Sequence, residues 1–330
     1  MPKDRYCRAI SGNPDQNLIE GFKPITPGIM VSRNLSISVF NGSWNAPIWS
    51  AMEQGYFRDN ELDISIRYTA SSTDLISGFD DGSYPLIFCS ADNVLAYQEN
   101  HAEITTQHAT DAAIFLSGDS GFLYPVAATD IKEINDLKGK VIGVDKRDTG
   151  FAYVLYDILA RHGIKLSEIT IREMGSTEGR LGMVAGGQCQ ITLLRTPYQL
   201  AAQTQGLTVF NEYRMSLETY QGTVGVVHRN WLADNGQRLE AFKSAYRKGL
   251  DWFLGNPDSA KALLIKYLPQ LSKELAELTF QELADKDYGL DRTMTPRISA
   301  LQEVLRLRKL YEKALNGRDT APLDVARLIL

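Results

Sequence analysis

The sequence predicts an α/β protein of two lobes, each a mixed sheet flanked by helices, with a ligand cleft between them. Three observations carry this. The chain has 330 residues, more than one typical domain core holds. Short apolar runs of strand length alternate with segments of helical periodicity, the pattern of βα units and parallel sheets. The alternation is interrupted once, by the charged stretch from Ile131 to Lys140, and then resumes.

The first unit runs from Ile37 to Ile66. Ile37, Val39 and Phe40 form an apolar strand, and Ile48, Trp49, Met52 and Tyr56 recur at helical spacing. Asn45 is placed as the helix N-cap, Pro47 in the first turn, where its missing amide costs little, and Gly55 as the stop. Leu62, Ile64 and Ile66 alternate at period two and return the chain to the sheet, parallel to the first strand. In such a unit the turn Asn41 to Asn45 stands at the carboxyl end of its strand, where open α/β sheets bind ligands.

Ser71 to Asp74 caps a helix with Leu75, Ile76 and Phe79 on one face. Pro85 to Cys89 is a strand opening at Ser90-Ala91-Asp92 into another helix. His101 to Gln107 is expected as a further βα connection, and Ala112 to Ser117 as a strand. Val141 to Val144 begins the second series. Asp148-Thr149-Gly150 opens a helix with Phe151, Val154, Leu155, Ile158 and Leu159 at i, i+3, i+4, i+7 and i+8. Ile169 and Ile171 lead to Ser176-Thr177 and a short helix, and Ile191 to Leu194 and Leu207 to Phe210 are strands. Thr223 to Val227 is expected to cross back to the first lobe. The remainder of the chain is helical. Its last long helix is opened by Thr295-Pro296 and buries Leu301, Val304, Leu305 and Leu310. The expected division is an arm at 1–35, a first lobe of 36–125 with 220–330, and a second lobe of 126–219.

Composition narrows the function classes. A net charge of -5, with 23% charged residues, argues against a surface that coats nucleic acid. No stretch approaches the roughly 18 apolar residues of a membrane span. Cys7, Cys89 and Cys189 lack disulfide or zinc spacing, and His101, His108, His162 and His228 form no metal-ligand pattern. Cys89 and Cys189 read as small buried apolar residues. Neither a metal nor a cofactor is expected. The first thirty residues carry no apolar segment of a secretory signal. The expected location is therefore cytoplasmic, unless a signal was removed or mis-annotated, in which case it is periplasmic or extracellular.

Four turns share one description: each follows a strand, carries Ser, Thr, Asn or Asp, and opens a helix. They are Ser43-Trp44-Asn45, Ser90-Ala91-Asp92-Asn93, Asp148-Thr149-Gly150, and Ser176-Thr177 with Arg180 just beyond. Each can be an ordinary cap. Taken together, four helix N-termini facing one cleft would present free amides and partial positive charge to a carboxylate, sulfonate or phosphate. Arg180 could clamp such a group, and Trp44, Phe151 and Tyr220 could supply an apolar wall.

The pattern N-x5-P-x7-G-Y-F from Asn41 to Phe57, followed by Asn60-Glu61-Leu62-Asp63-Ile64, and the later Ile134-Asn135-Asp136-Leu137-Lys138-Gly139-Lys140-Val141-Ile142-Gly143-Val144, resemble type II periplasmic binding proteins of the nitrate, sulfonate, taurine and thiamine-pyrimidine-precursor branch. The resemblance covers roughly residues 36 to 325. It implies a two-lobed solute-binding protein that closes by hinge motion on one small anionic or heterocyclic ligand and delivers it to an ABC permease. Carried over position by position, it points to Trp44, Asn45, Ser90, Ala91, Asp92, Thr149, Gly150, Ser176 and Arg180. Some relatives are enzymes: desulfinases, decarboxylases or thiamine-pyrimidine synthases, using a Cys in the first turn or a His with a Cys-rich segment. Here the first turn has no Cys, so an enzyme with Cys89 or a turn Ser as nucleophile is the alternative, as is a ligand sensor without transport. Cys89 could be approached by His108 in space.

Overall fold

A computed structural model describes residues 33–99, 111–215, 220–319 and 322–330. The expected arm, up to residue 32, and the expected connection at 101–107 lie outside the described residues. Asn34 and Leu35, placed in the arm from sequence, already belong to the first strand.

The first sheet is built from β1 (Asn34–Phe40), β2 (Asp63–Thr69), β3 (Leu86–Ser90), β4 (Ala112–Ser117) and the late strand β10 (Thr223–His228), in the order β2-β1-β3-β10-β4. β1 runs parallel to β2 and β3, with Val39 opposite Tyr68 and Phe88, while β10 is antiparallel to β3 and β4. The second sheet holds β5 (Leu123–Ala127), β6 (Val141–Val144), β7 (Thr170–Glu173), β8 (Ile191–Arg195) and β9 (Thr208–Val209), in the order β7-β6-β8-β5-β9. β6 runs parallel to β7 and β8, and β5 is antiparallel to β8 and β9. The two sheets thus repeat one plan: three parallel strands with the first in the middle, then an antiparallel strand beside the third. The expected lobe boundary at 125/126 falls within β5, whose pairing is entirely in the second sheet. The crossings between sheets are the segment from Gly118 to Phe122 and the segment that ends at Gly222.

In the first lobe the helices are α1 (Ala46–Glu53), α2 (Tyr56–Asp59), α3 (Ser72–Asp80) and α4 (Ala91–Gln98). In the second they are α5 (Gly150–Arg161), α6 (Thr177–Ala185) and α7 (Tyr198–Thr204). Then come α8 (Arg229–Gly255), α9 (Pro257–Tyr267), α10 (Lys273–Ala284) and α11 (Ile298–Asn316). α1 lies against α8, and a Cβ on Gly249 would come within 2.2 Å of the Pro47 carbonyl oxygen. Only glycine permits that approach. α10 packs on α7, and α11 packs on both α4 and α5, so the late helices brace the two lobes on separate sides.

Several local expectations change. Asn45 stands at the N-cap of α1 without capping it: a 3-10 turn from Ser43 precedes the helix, and Asn45 Nδ2 instead donates to the Phe40 carbonyl at 2.7 Å. The last helix starts at Ile298 rather than at Thr295-Pro296. Thr293 and Thr295 are engaged in a turn with Asp291 ahead of it. Leu310, expected in the core, is 48% exposed. The buried stripe of α11 runs through Leu301, Val304, Leu305, Arg308 and Tyr311, and Leu310 is rotated off it. Cys89 and Cys189 are buried free thiols, as expected.

Candidate functional site

A cavity of about 390 Å³ opens where the carboxyl ends of the parallel strands of both sheets meet. From the first lobe it is lined by Phe40, Asn41 and Trp44 at and beyond the end of β1, by Thr69 to Ser72 at and beyond the end of β2, and by Phe88 to Ser90 in the last part of β3 with Asn93 beyond it. From the second it is lined by Asp145, Lys146 and Thr149 to Phe151 after β6, by Gly175 to Glu178 with Arg180 after β7, and by Arg195 and Tyr198 after β8. The shared strand order produces this. In each lobe the central parallel strand is flanked by the next two, so their carboxyl ends diverge into a crevice.

Arg195 forms part of the wall and is 5% exposed. Its Nη2 donates to Asp119 Oδ1 and Oδ2 at 3.2 Å and to Thr223 Oγ1 at 3.1 Å, and its Nε donates to the Gly121 carbonyl at 2.7 Å. The residue at the end of β8 therefore pins both crossing segments. Burial pulls its pKa down and Asp119 opposes that pull, and a guanidinium stays charged throughout. Its Cζ lies 3.7 Å from the Trp44 ring centroid and 5.4 Å from that of Phe151, so the cation faces aromatic rings of both lobes.

Of the residues singled out from the sequence, Trp44, Ser90, Thr149, Gly150, Phe151, Ser176 and Arg180 line the cavity. Five stand behind its wall. Ser43 is fully buried and donates its hydroxyl to the Thr196 carbonyl at 2.9 Å, joining the lobes. Asn45 is spent on Phe40. The Ala91 amide donates to Gly222 at 2.9 Å. Asp92 is buried and takes two bonds at 3.1 Å from Arg308 Nη1, beside Glu99 and Glu312. Tyr220 is buried close to Gly150, where a Cβ would lie 3.1 Å from its hydroxyl, and it borders a separate cavity of about 60 Å³.

Around Arg308, burial works against the charge, but Asp92, Tyr153 and Glu312 outweigh it and raise the arginine pKa. Burial raises that of Asp92, against the pull of Arg308. The cluster is a structural brace behind the cavity, with one link to its wall: Gly150 packs directly against Asp92.

Among the lining residues that sequence reasoning did not single out as ligand contacts are Asn41, Thr69, Ser71, Ser72, Arg195 and Tyr198. Asn41 and Thr69 sit at carboxyl ends of parallel strands, a signal the strand assignments already contained. Arg195 had one as well: it is the only charged residue of β8, at its last position.

Cys89 is the cysteine of the wall. Burial, and then the Asp92 charge, push its thiol far up from the ordinary value. A thiol so placed stays protonated and is a poor nucleophile.

A family model described as NMT1/THI5 like matches residues 44–260. The 4-amino-5-hydroxymethyl-2-methylpyrimidine phosphate synthase THI13 of Saccharomyces cerevisiae is 23% identical over 251 residues, covering 72% of each chain. The formylaminopyrimidine-binding protein of Halalkalibacterium halodurans is 22% identical over 225 residues, covering 66% of this chain and 65% of its own. Among solved structures, the periplasmic aliphatic sulphonate binding protein SsuA of Escherichia coli superposes with a TM-score of 0.72 at 17% identity, over 91% of this chain and 92% of its own.

Proposed function

The chain belongs to the NMT1/THI5-like family, and from that premise we propose that it is a solute-binding protein whose lobes close by hinge motion on one heterocyclic or anionic small molecule. The observation that carries this reading is the cleft itself. A cavity of about 390 Å³ is walled by Phe40, Trp44, Phe88, Phe151 and Tyr198 from both lobes, with hydroxyls, amides and two guanidiniums between the rings. Aromatic faces suit a planar ring, and the cationic and N–H groups suit an acidic substituent or ring nitrogens. The formylaminopyrimidine-binding relative supports a heterocycle. In this role the protein serves as the ligand-binding component of an ABC-type uptake system, in contact with a permease and acting in the periplasm or outside the cell. The contributions of Trp44, Ser90, Thr149, Gly150, Phe151, Ser176 and Arg180 to binding are part of this proposal, and Arg195 joins them.

The synthase relatives favour an enzyme as the second reading. The protonated state of Cys89 weighs against the version in which that residue is the nucleophile.

A thermal-shift screen over sulfonates, aromatic carboxylates, pyrimidines and flavin precursors tests the binding reading. A true ligand at a hundred times its Kd stabilises by about 2.7 kcal/mol. If no class raises Tm and native mass spectrometry finds no complex, the reading fails. If a compound is bound and returned chemically altered, the enzyme reading replaces it.

A further inference from the structure

The four helix N-termini at the cleft are not equivalent, because the protein fills most of them with its own acceptors. At α1 the Ala46 amide is taken by Ser43 and Pro47 has none. At α4 the Ala91 amide goes to Gly222 and that of Asn93 to Ser90 Oγ, and an aspartate, Asp92, occupies the first turn. At α5 the Gly150 amide lies against the Asp92 carboxylate and that of Ala152 goes to Thr149 Oγ1, so that only the Phe151 amide is left open among the described residues. At α6, Ser176 Oγ takes the Gly179 amide at 3.2 Å, and the two amides before it, of Thr177 and Glu178, have no acceptor among the described residues.

A second, independent feature marks the same place. Arg180, one turn into α6, lines the cavity and is 3% exposed. Its Nη1 donates to the Gly175 carbonyl, and its Nη2 to the Leu193 carbonyl at 3.0 Å and to Thr177 Oγ1 at 3.4 Å. Its Nε is buried without a partner. No carboxylate forms an ion pair with it among the described residues. Asp145 acts on it only at longer range, and accepts the Thr149 hydroxyl at 2.7 Å. The contrast with Arg195 and Arg308, each paired to buried carboxylates, is direct. A buried cation paired only with neutral oxygens leaves a charge to be balanced.

We propose that the N-terminus of α6 is the subsite for an oxyanion of the ligand, a carboxylate or sulfonate, which is held by the Thr177 and Glu178 amides and neutralises Arg180. This rests on the binding reading of the cleft and assigns its acidic end to the second lobe. The ring then extends from α6 toward Trp44 and Phe151. Glu178, exposed in the first turn, opposes a second negative charge and sets the preference for a singly charged group.

Thr177 is the first residue of α6, a position that accepts proline, and Ser176 before it has φ -60° and ψ 157°, compatible with a following proline. Thr177→Pro therefore removes one donor and leaves the fold intact, while Thr177→Ala removes the hydroxyl and keeps the donor. The test uses methanesulfonate and acetate as probes on ¹⁵N-labelled protein. Both anions should shift the Thr177 and Glu178 amides saturably in wild type, and the same two amides in Thr177→Ala. In Thr177→Pro the Glu178 shift should need at least about tenfold more anion, with an unchanged Tm in its absence. The proposal is overturned if wild type shows no saturable shift at these amides, if the shifts fall at Phe151 or Asp92 instead, or if Thr177→Pro titrates as wild type does. A screen that finds acidic heterocycles binding equally well to wild type and Thr177→Pro also overturns it, and leaves the cleft reading standing. Anion binding at Thr177 with no stabilising heterocycle would do the reverse.

Discussion

The guanidinium of Arg195 lies 3.7 Å from the centroid of the Trp44 ring, a contact between the end of β8 in the second lobe and the first turn of the first. The same guanidinium is ion-paired to Asp119 in the first crossing segment and bonded to Thr223 at the start of β10, where the second crossing ends. One side chain thus touches both lobes and the segments that join them, and ties the cavity wall to the crossings between the sheets.

Arg195→Met should therefore be costly. It leaves the fully buried Asp119 carboxylate without its cation, a loss of roughly 3–5 kcal/mol for a broken buried pair. Equilibrium denaturation should show the loss, and Arg195→Met with Asp119→Asn should recover part of it. A double variant as unstable as the sum of the two single ones would show that the pair is not coupled.

Gly150 separates α5 from the acidic cluster behind the wall. A Cβ there would lie 2.4 Å from Asp92 Cβ, so Gly150→Ala should destabilise by about 1–3 kcal/mol through overpacking. Gly182, inside α6 with open space around it, provides the opposite case: Gly182→Ala should stabilise by about 0.5–1 kcal/mol. Thermal melts of the two variants should move Tm in opposite directions.

Asp136, in the segment that resembles a family motif, accepts the Lys132 and Glu133 amides at 3.0 Å each. These bonds lower its pKa from the ordinary 3.8. A lowered carboxylate pKa contributes stability that is present above the unfolded value and lost as pH falls through the folded one. The stability difference between wild type and Asp136→Asn should accordingly be constant near neutrality and shrink below about pH 4. Denaturation midpoints measured across that range check the sign, and a difference that grows on acidification contradicts it.

Cys89 should resist alkylation by iodoacetamide in the folded protein at neutral pH and react on unfolding, because burial and Asp92 hold the thiol protonated. Peptide mapping reads this directly. Stoichiometric labelling of the native protein would revive the nucleophile reading.

Local chemistry along the chain was enough to place most of the strands, many helix ends and the return of Thr223 to Val227 to the first sheet, since apolar periodicity, glycine stops and cap residues act within a few positions; β5 (Leu123–Ala127) was missed. It also located the four turns of the cleft. Which turn residues face the cavity emerged only on folding. Ser43 found its acceptor 153 residues along the chain at Thr196, and Asp92 its donor 216 residues along at Arg308, while the Ala91 amide was taken by Gly222. No spacing in the sequence could reveal such partners. The same holds for charge. The partners of Arg195, Arg180 and Arg308 are not legible in the sequence, because a buried guanidinium is defined by what the fold brings to it: Asp119 for the first, three carboxylates for the last, and for Arg180 only neutral oxygens.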